Sequence, residues 1–132
     1  MGYLNGFISN NNQLLIQVSI AKVNSKPEEF RSYNALIDTG AQRSHLSKKA
    51  IGELNLVKHG EAPITSASDT TMCGLYYIDL LIHTSPKSIS GSCFEMIEFS
   101  QNPNFDIILG MDIILQGSLH ISSDRHFTIS IL

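Results

Sequence analysis

Positive charge is scarce in this chain. Nine Lys and Arg against twelve Asp and Glu leave a net charge of −3 at pH 7. A nucleic-acid grip needs a basic face, so this balance argues against one. Long apolar runs are missing too, and none approaches the ~20 residues that cross a bilayer. The opening stretch, MGYLNGFISNNN, has neither a basic n-region nor a long apolar h-region, which predicts a chain without a cleavable export signal. Gly6 stands where a myristoylation motif needs Ser or Thr, and no Asn-x-Ser/Thr acceptor occurs. Together these absences predict a cytoplasmic protein with no membrane partner, leaving open export by a route that needs no such signal. Cysteine is limited to Cys73 and Cys93. They can form one bridge, but a chain without an export signal is expected to carry them as free thiols. The histidines, His45, His59, His83, His120 and His126, show no ligand spacing such as His-x3-His, so neither a metal nor a cofactor is expected. Ser118-Leu119-His120 lies outside any Gly-x-Ser-x-Gly frame and does not signal a serine hydrolase.

What is present is apolar material for one core. The 132 residues suit a single domain, residues 1–132, and 42% of them are hydrophobic against 16% charged, which argues against disorder. The pattern is mostly strand. Phe7-Ile8 and Leu14 to Ile20 flank the polar cluster Ser9 to Gln13 and read as a hairpin. Val23 to Glu29 is a polar interruption, and Ser32 to Asp38 is a strand. Ser47 is placed to cap a helix of one or two turns with Leu46, Ala50, Ile51 and Leu54 on its apolar side. Gly52 weakens that helix by ~1 kcal/mol relative to Ala. Ile64 to Ile82 reads as a long hairpin whose tip lies near Ser66 to Thr70. Pro86 to Gly91 reads as a turn, Cys93 to Phe99 as a strand and Asn102 to Asn104 as a break. Phe105 to Gly110 is an apolar strand, and Met111 to Gln116 a helical turn stopped by Gly117. Ser118 to Ser122 and His126 to Leu132 close the chain as strands. Many short strands separated by turn signals predict an all-β fold, closed or sandwiched.

The chemistry concentrates in Ala35-Leu36-Ile37-Asp38-Thr39-Gly40-Ala41. A carboxylate at the end of an apolar strand is costly unless something pairs with it or uses it. One reading is a capping residue at a turn, since Asp before Thr-Gly is common there. The second signal is Ile107-Ile108-Leu109-Gly110-Met111-Asp112, about seventy residues later. An apolar strand into Asp-Thr-Gly, then an apolar strand into Ile-Leu-Gly and a short helix, is a specific order. From Leu14 to its C-terminus the chain resembles the retropepsin-like aspartic proteases. These include the retroviral proteases and the protease-like domain of the DNA-damage-inducible ubiquitin-shuttle proteins.

That resemblance implies a single-lobe closed β barrel with a flap hairpin and one or two short helices, working as a homodimer. It implies an aspartic endopeptidase. In such enzymes two carboxylates in contact do not both ionise; they share a proton and titrate apart. The ionised member takes a proton from water, the protonated member donates to the scissile carbonyl, and a tetrahedral diol forms without an acyl-enzyme. The chain holds one Asp-Thr-Gly. Asp69, Asp79, Asp106 and Asp112 lack a following Thr/Ser-Gly, so the second Asp38 comes from a second copy on a two-fold axis. The resemblance assigns Asp38, Thr39 and Gly40 to catalysis, with the Thr39 hydroxyl holding the two loops together. Ala41 and Gln42 then border the substrate. Gln42 matches the DNA-damage-inducible type, where the retroviral enzymes have Asp. Thr70, Thr71 and Met72 are flap contacts to a peptide or protein substrate in extended conformation. Ser44 is expected to brace the loop against the short helix through Asp112, with an Arg43–Asp112 ion pair as the competing arrangement. His45, close to the loop, reads either as a modulator of the pH response or as a partly exposed loop-to-helix residue. The resemblance also implies apolar preference at the scissile bond and a mildly acidic optimum. The alternative is a catalytically silent dimerisation or peptide-binding module with the same fold, or an unrelated β domain in which Asp38 is a turn residue.

Overall fold

Period-two alternation of buried and exposed residues builds the strands. In the computed structural model, which describes residues 2–65, 68–82, 88–96 and 104–131, Leu14–Ala21 (β2) sends Ile16, Val18 and Ile20 inward, and Arg31–Ile37 (β3) sends Tyr33, Ala35 and Ile37 to meet them. The two pair antiparallel, Ile16 opposite Ala35. Ile107–Leu109 (β8) runs parallel to β3, and its three residues are all buried. A short run without alternation fits a strand covered on both faces. His45–Leu46 (β4) follows on the other side of β8, then Ile89–Glu95 (β7), then Thr70–Ile82 (β6). β6 returns to pair with β2, Ile20 opposite Leu80, and so closes a six-stranded barrel. The described chain is 54% strand.

Gly60–Thr65 (β5) hangs from the first half of β6 as a hairpin, Thr65 opposite Thr70. A separate three-stranded sheet joins Gly2–Phe7 (β1), His126–Ile131 (β10) and Gly117–Ile121 (β9), with β10 in the middle. Phe127, Ile129 and Ile131 carry that sheet onto the barrel core. Lys48–Glu53 (α1) starts at Ser47, whose hydroxyl accepts from the Ala50 N–H at 3.1 Å. Met111–Ile114 (α2) is a single turn after Gly110.

Several sequence expectations change at this level. Residues 7–20 do not form a two-stranded hairpin. The turn closes, with Ser9 N–H to Gln13 carbonyl at 2.9 Å and Ile8 opposite Leu14, but β1 then pairs with β10 instead. Phe127, Ile129 and Ile131 are the stronger apolar partners, and Arg125 donates from its guanidinium to the Ser9 carbonyl, fastening the turn to the β9–β10 connection. Ile89 to Gly91, expected in a turn, belong to β7. The strand expected over Cys93 to Phe99 ends at Glu95, and residues 97–99 lie outside the described ones. So do Ser66 and Ala67 of the expected hairpin tip, Pro86 and Lys87 of the expected turn, and Asn102-Pro103 of the expected break. The strand expected over 105–110 is confined to Ile107–Leu109. Both cysteines are free and buried, as expected, and no helix among the described residues is long and apolar enough to cross a membrane.

The core should respond to volume. Ile107, fully buried between β3 and β4, is expected to cost ~2–5 kcal/mol when cut to Ala. Val57→Ala, at an 81% exposed position, should stay within ~0.5 kcal/mol. Urea unfolding of both variants checks the contrast.

Candidate active site

Asp38 sits where β3 leaves the barrel. Its N–H donates to the Leu109 carbonyl at 2.9 Å, which extends the β3–β8 ladder by one bond. Its carboxylate turns back over the following turn, and Oδ1 accepts from the Gly40 N–H at 2.9 Å. The Ala41 N–H then donates to the Asp38 carbonyl at 3.2 Å. Asp38 is half-buried, while Thr39 and Gly40 are exposed, so the loop presents its carboxylate at a surface. A Cβ on Gly40 would meet Asp38 Oδ1 at 3.2 Å, tight enough to disturb the carboxylate's seat.

A second strand–turn unit locks this loop from behind. Gly110 passes so close that a Cβ there would lie 2.6 Å from the Arg43 carbonyl oxygen and 2.8 Å from that of Ala41. Only glycine leaves room for that crossing. The Met111 and Asp112 N–H groups donate to the Ala41 and Gln42 carbonyls at 2.8 and 3.2 Å. Asp112 returns the tie: Oδ2 accepts from the Ser44 N–H at 3.0 Å and Oδ1 from the Ser44 hydroxyl at 2.7 Å. The same hydroxyl oxygen accepts from the Gly110 N–H at 3.0 Å. Ser44 is completely buried, and its carbonyl accepts from Phe94 N–H, so its polar groups are satisfied. The Ser44–Asp112 brace is therefore the one formed. Arg43 does not pair with Asp112; its guanidinium lies 5.4 Å from the centre of the Phe94 ring.

Three further aspartates are employed elsewhere. Asp79 is buried and accepts from Asn24 N–H at 3.0 Å and Ser90 hydroxyl at 2.6 Å. Asp106 accepts from the Ser47 hydroxyl at 3.0 Å and faces Lys49 at 3.8 Å. Asp69 accepts from the Thr70 N–H at 2.8 Å. None lies in the Asp38 loop. Thr70, Thr71 and Met72 begin β6, exposed, opposite Thr65, Ile64 and Pro63. Among the described residues no hydrogen bond joins them to the Asp38 loop. No cluster of His, Cys, Asp and Glu suited to a metal ion occurs among the described residues.

An apolar outer face beside the loop has no counterpart among the sequence expectations. Directly opposed residues share a sheet face, and the registers link Leu15, Leu36, Ile108, His45, Phe94 and Leu75 into one row across five neighbouring pairs of strands. Their chain neighbours Ile16, Ile37, Ile107 and Leu46 face the core, so the row faces outward. Asp38, two residues after Leu36, continues the same parity. Met96, Phe105 and Ile108 form a small apolar cluster of their own, with Leu15, Leu36 and Ala41 packed against it. The Asp38 loop therefore stands beside an apolar surface. Its sequence signal is the paired apolar residues, Leu14-Leu15, Leu36-Ile37 and Ile107-Ile108, where one-sided strands would alternate.

His45 is the titratable member of the row. It is half-buried, and its ring centre lies 5.6 Å from that of Phe94. Burial pushes its imidazole below the ordinary 6.5, while the carboxylates of Asp112 and Asp38 pull the other way. Burial likewise pushes the Cys93 thiol up to about 12, with Asp112 adding and Arg43 opposing, which leaves it inert at neutral pH.

No protein-family profile matches this chain, and no curated protein matches it in sequence. Solved structures do match its fold. A retropepsin-like aspartic protease from Rickettsia conorii superposes over 98% of this chain and 91% of its own, with a TM-score of 0.67 and 14% identity. The retroviral protease-like domain of Ddi1 from Leishmania major covers 89% of this chain and 90% of its own, with a TM-score of 0.52 and 14% identity. The fold is retropepsin-like.

The brace and the histidine are each open to measurement. Ser44→Ala removes the hydroxyl shared by Asp112 and Gly110 and leaves a buried N–H without its partner. It should cost ~1–3 kcal/mol in chemical denaturation; a loss below ~0.5 kcal/mol would contradict the brace. The His45 ring, followed by NMR, should titrate below 6.5. Because the folded chain disfavours its protonation, stability should fall as pH drops from 6.5 through that lowered midpoint, then level off once both states are protonated.

Proposed function

We propose that this chain is an aspartic endopeptidase whose reacting centre is completed by a second copy of itself. The observation that supports the reading is the seat of Asp38: one aspartate, half-exposed at the end of a barrel strand, in a loop braced by the Ser44–Asp112 pair and bordered by an outward apolar row. The similarity of the fold to a retropepsin-like aspartic protease supports it further. A capping aspartate would need neither the brace nor the apolar face beside it.

In this reading the Asp38 carboxylates of two copies meet on a two-fold axis and share one proton. The ionised one draws a proton from a water held between them. The protonated one donates to the carbonyl oxygen of the scissile bond as the water oxygen attacks the carbon. Collapse of the diol returns a proton to the leaving amine. The Gly40 N–H already donates to Asp38 Oδ1; this fixes which carboxylate oxygen is left to face the water. Thr39, exposed beside Asp38, bonds the opposite loop. Ala41 and Gln42 border the peptide, and Ala41 packs against the small apolar cluster, which suits an apolar side chain at the scissile bond. The peptide lies extended along the outward row, and the β5–β6 hairpin folds over it, with Thr70, Thr71 and Met72 bonding its backbone as an added strand does. No cofactor enters this chemistry. The outer edges of β1 and β9 face no strand among the described residues, which leaves two edges on which a second copy can pair.

Cleavage of labelled casein between pH 3 and 8 tests the reading. Activity should peak at mildly acidic pH, fall by about 10²–10⁴-fold or more in Asp38→Asn, and drop per chain on dilution through the dimer dissociation constant. Equal activity in Asp38→Asn would reject it. Inactivity of both proteins, with the dimer intact, would favour a peptide-binding module.

A further inference from the structure

We propose that Arg43 and His45, set against the Phe94 ring beside Asp38, form a subsite that selects an acidic side chain in the bound peptide. This rests on the endopeptidase reading and names the substrate class for the same site.

Along the row Leu15, Leu36 and Leu75 are partly exposed and offer an extended peptide apolar contacts, while Ile108 and Phe94 lie buried between them. His45 interrupts the row, directly between Ile108 and Phe94. Two residues earlier, the Arg43 guanidinium lies over the same Phe94 ring. Phe94 is 8% exposed, so the ring is a buried platform and the two polar groups are its borders.

The guanidinium has no carboxylate within ion-pair distance among the described residues. Its obvious partner, Asp112, has both oxygens committed to Ser44, and Oδ1 also to the Ile113 N–H at 2.9 Å. Arg43 is thus held by its aromatic contact, with its fork of donors turned to no carboxylate. A planar guanidinium keeps its donors in its own plane, the geometry that grips a carboxylate through two bonds. An isolated surface arginine contributes little, but a peptide lying along the row would exclude water around this one and strengthen the pairing. The imidazole of His45, 5.6 Å from the same ring centre to centre, adds a ring N–H.

Charge balance points the same way. Asp38 and Asp112 are the carboxylates close enough to act on His45, and Arg43 is the cation set beside them. With Arg43 in place one position per copy accepts a carboxylate and its neighbours do not. The selectivity is therefore positional.

The experiment uses the full chain carrying Asp38→Asn, so that binding is read without turnover. The probes are extended decapeptides with apolar residues at alternate positions and a single Glu or Gln scanned along them, followed by fluorescence anisotropy. Because the two copies each supply the subsite, one position on each side of the two-fold axis should favour Glu over Gln by about tenfold at low salt. That preference should vanish in Arg43→Gln, survive in part in Arg43→Lys, weaken in His45→Gln and fall at high salt. Arg43 is exposed, so its variants keep the fold. The proposal is overturned if no position favours Glu, if no peptide binds, or if the preference persists in Arg43→Gln. Parallel digestion of the same peptides by the unaltered chain separates the two claims. Cleavage without a Glu preference rejects the subsite and keeps the protease. A Glu preference in binding without cleavage rejects the protease and keeps the subsite.

Discussion

The hydrogen bond between the buried Ser44 hydroxyl and Asp112 holds this structure's site in place. It joins two segments 68 residues apart in sequence. The Asp38 loop, with its small residues, has little of its own to fix it: a turn bond from Gly40 and one from Ala41. Its position comes from the unit behind it, where Gly110 slides under the Ala41 and Arg43 carbonyls and Asp112 takes both polar groups of Ser44. Withdrawing a carboxylate from water is expensive unless its oxygens are occupied, and here donors from Ser44 and Ile113 occupy them. The same bond commits Asp112 away from Arg43, which releases the guanidinium to the Phe94 ring. The brace, the placement of Asp38 and the cation beside it are one arrangement.

The barrel divides its residues by parity, and the division carries the functional reading. Inward residues of β2, β3, β8 and β4 make the core. Their outward neighbours would ordinarily be polar, and on the first half of β3 they are: Ser32 and Asn34 are exposed. Toward Asp38 the outward positions turn apolar, with Leu36, Ile108 and Leu15. The chain covers part of this row itself: Ile108 is 8% exposed beside Met96 and Phe105, and Leu15 and Leu36 pack against them while staying partly open. In the proposed reading, an extended peptide under the β5–β6 hairpin takes the part that the chain leaves open.

Much of this is legible in the sequence, and the limits have physical causes. Local signals work where the cause is local: the Ser47 cap, the Thr65–Thr70 hairpin and the helical turn after Gly110 all rest on neighbours within a few residues. The partner of β1 is hidden because the Ser9–Gln13 turn is genuine while its strands serve different sheets; the choice of β10 depends on residues more than a hundred positions away. The strand ending at Glu95 looks later and longer in sequence because the Ser and Gly residues 90–92 resemble a turn, yet Ser90 and Cys93 face partners on β6. At the site, Asp38 and the Ser44–Asp112 tie are visible as motifs. The outward row is not, since it exists only once five registers are known. The Arg43–Phe94 contact depends on the parallel pairing of β4 with β7, which no local pattern encodes.

The proposed reacting centre is built from two chains, so its stoichiometry can be counted. Calorimetric titration with a statine-type peptide, whose hydroxyl mimics the diol, counts centres directly. One inhibitor should bind for every two chains, and much more weakly to Asp38→Asn, which keeps the contacts along the peptide but loses the one to the hydroxyl. One inhibitor per chain, or equal binding to Asp38→Asn, would contradict a shared centre.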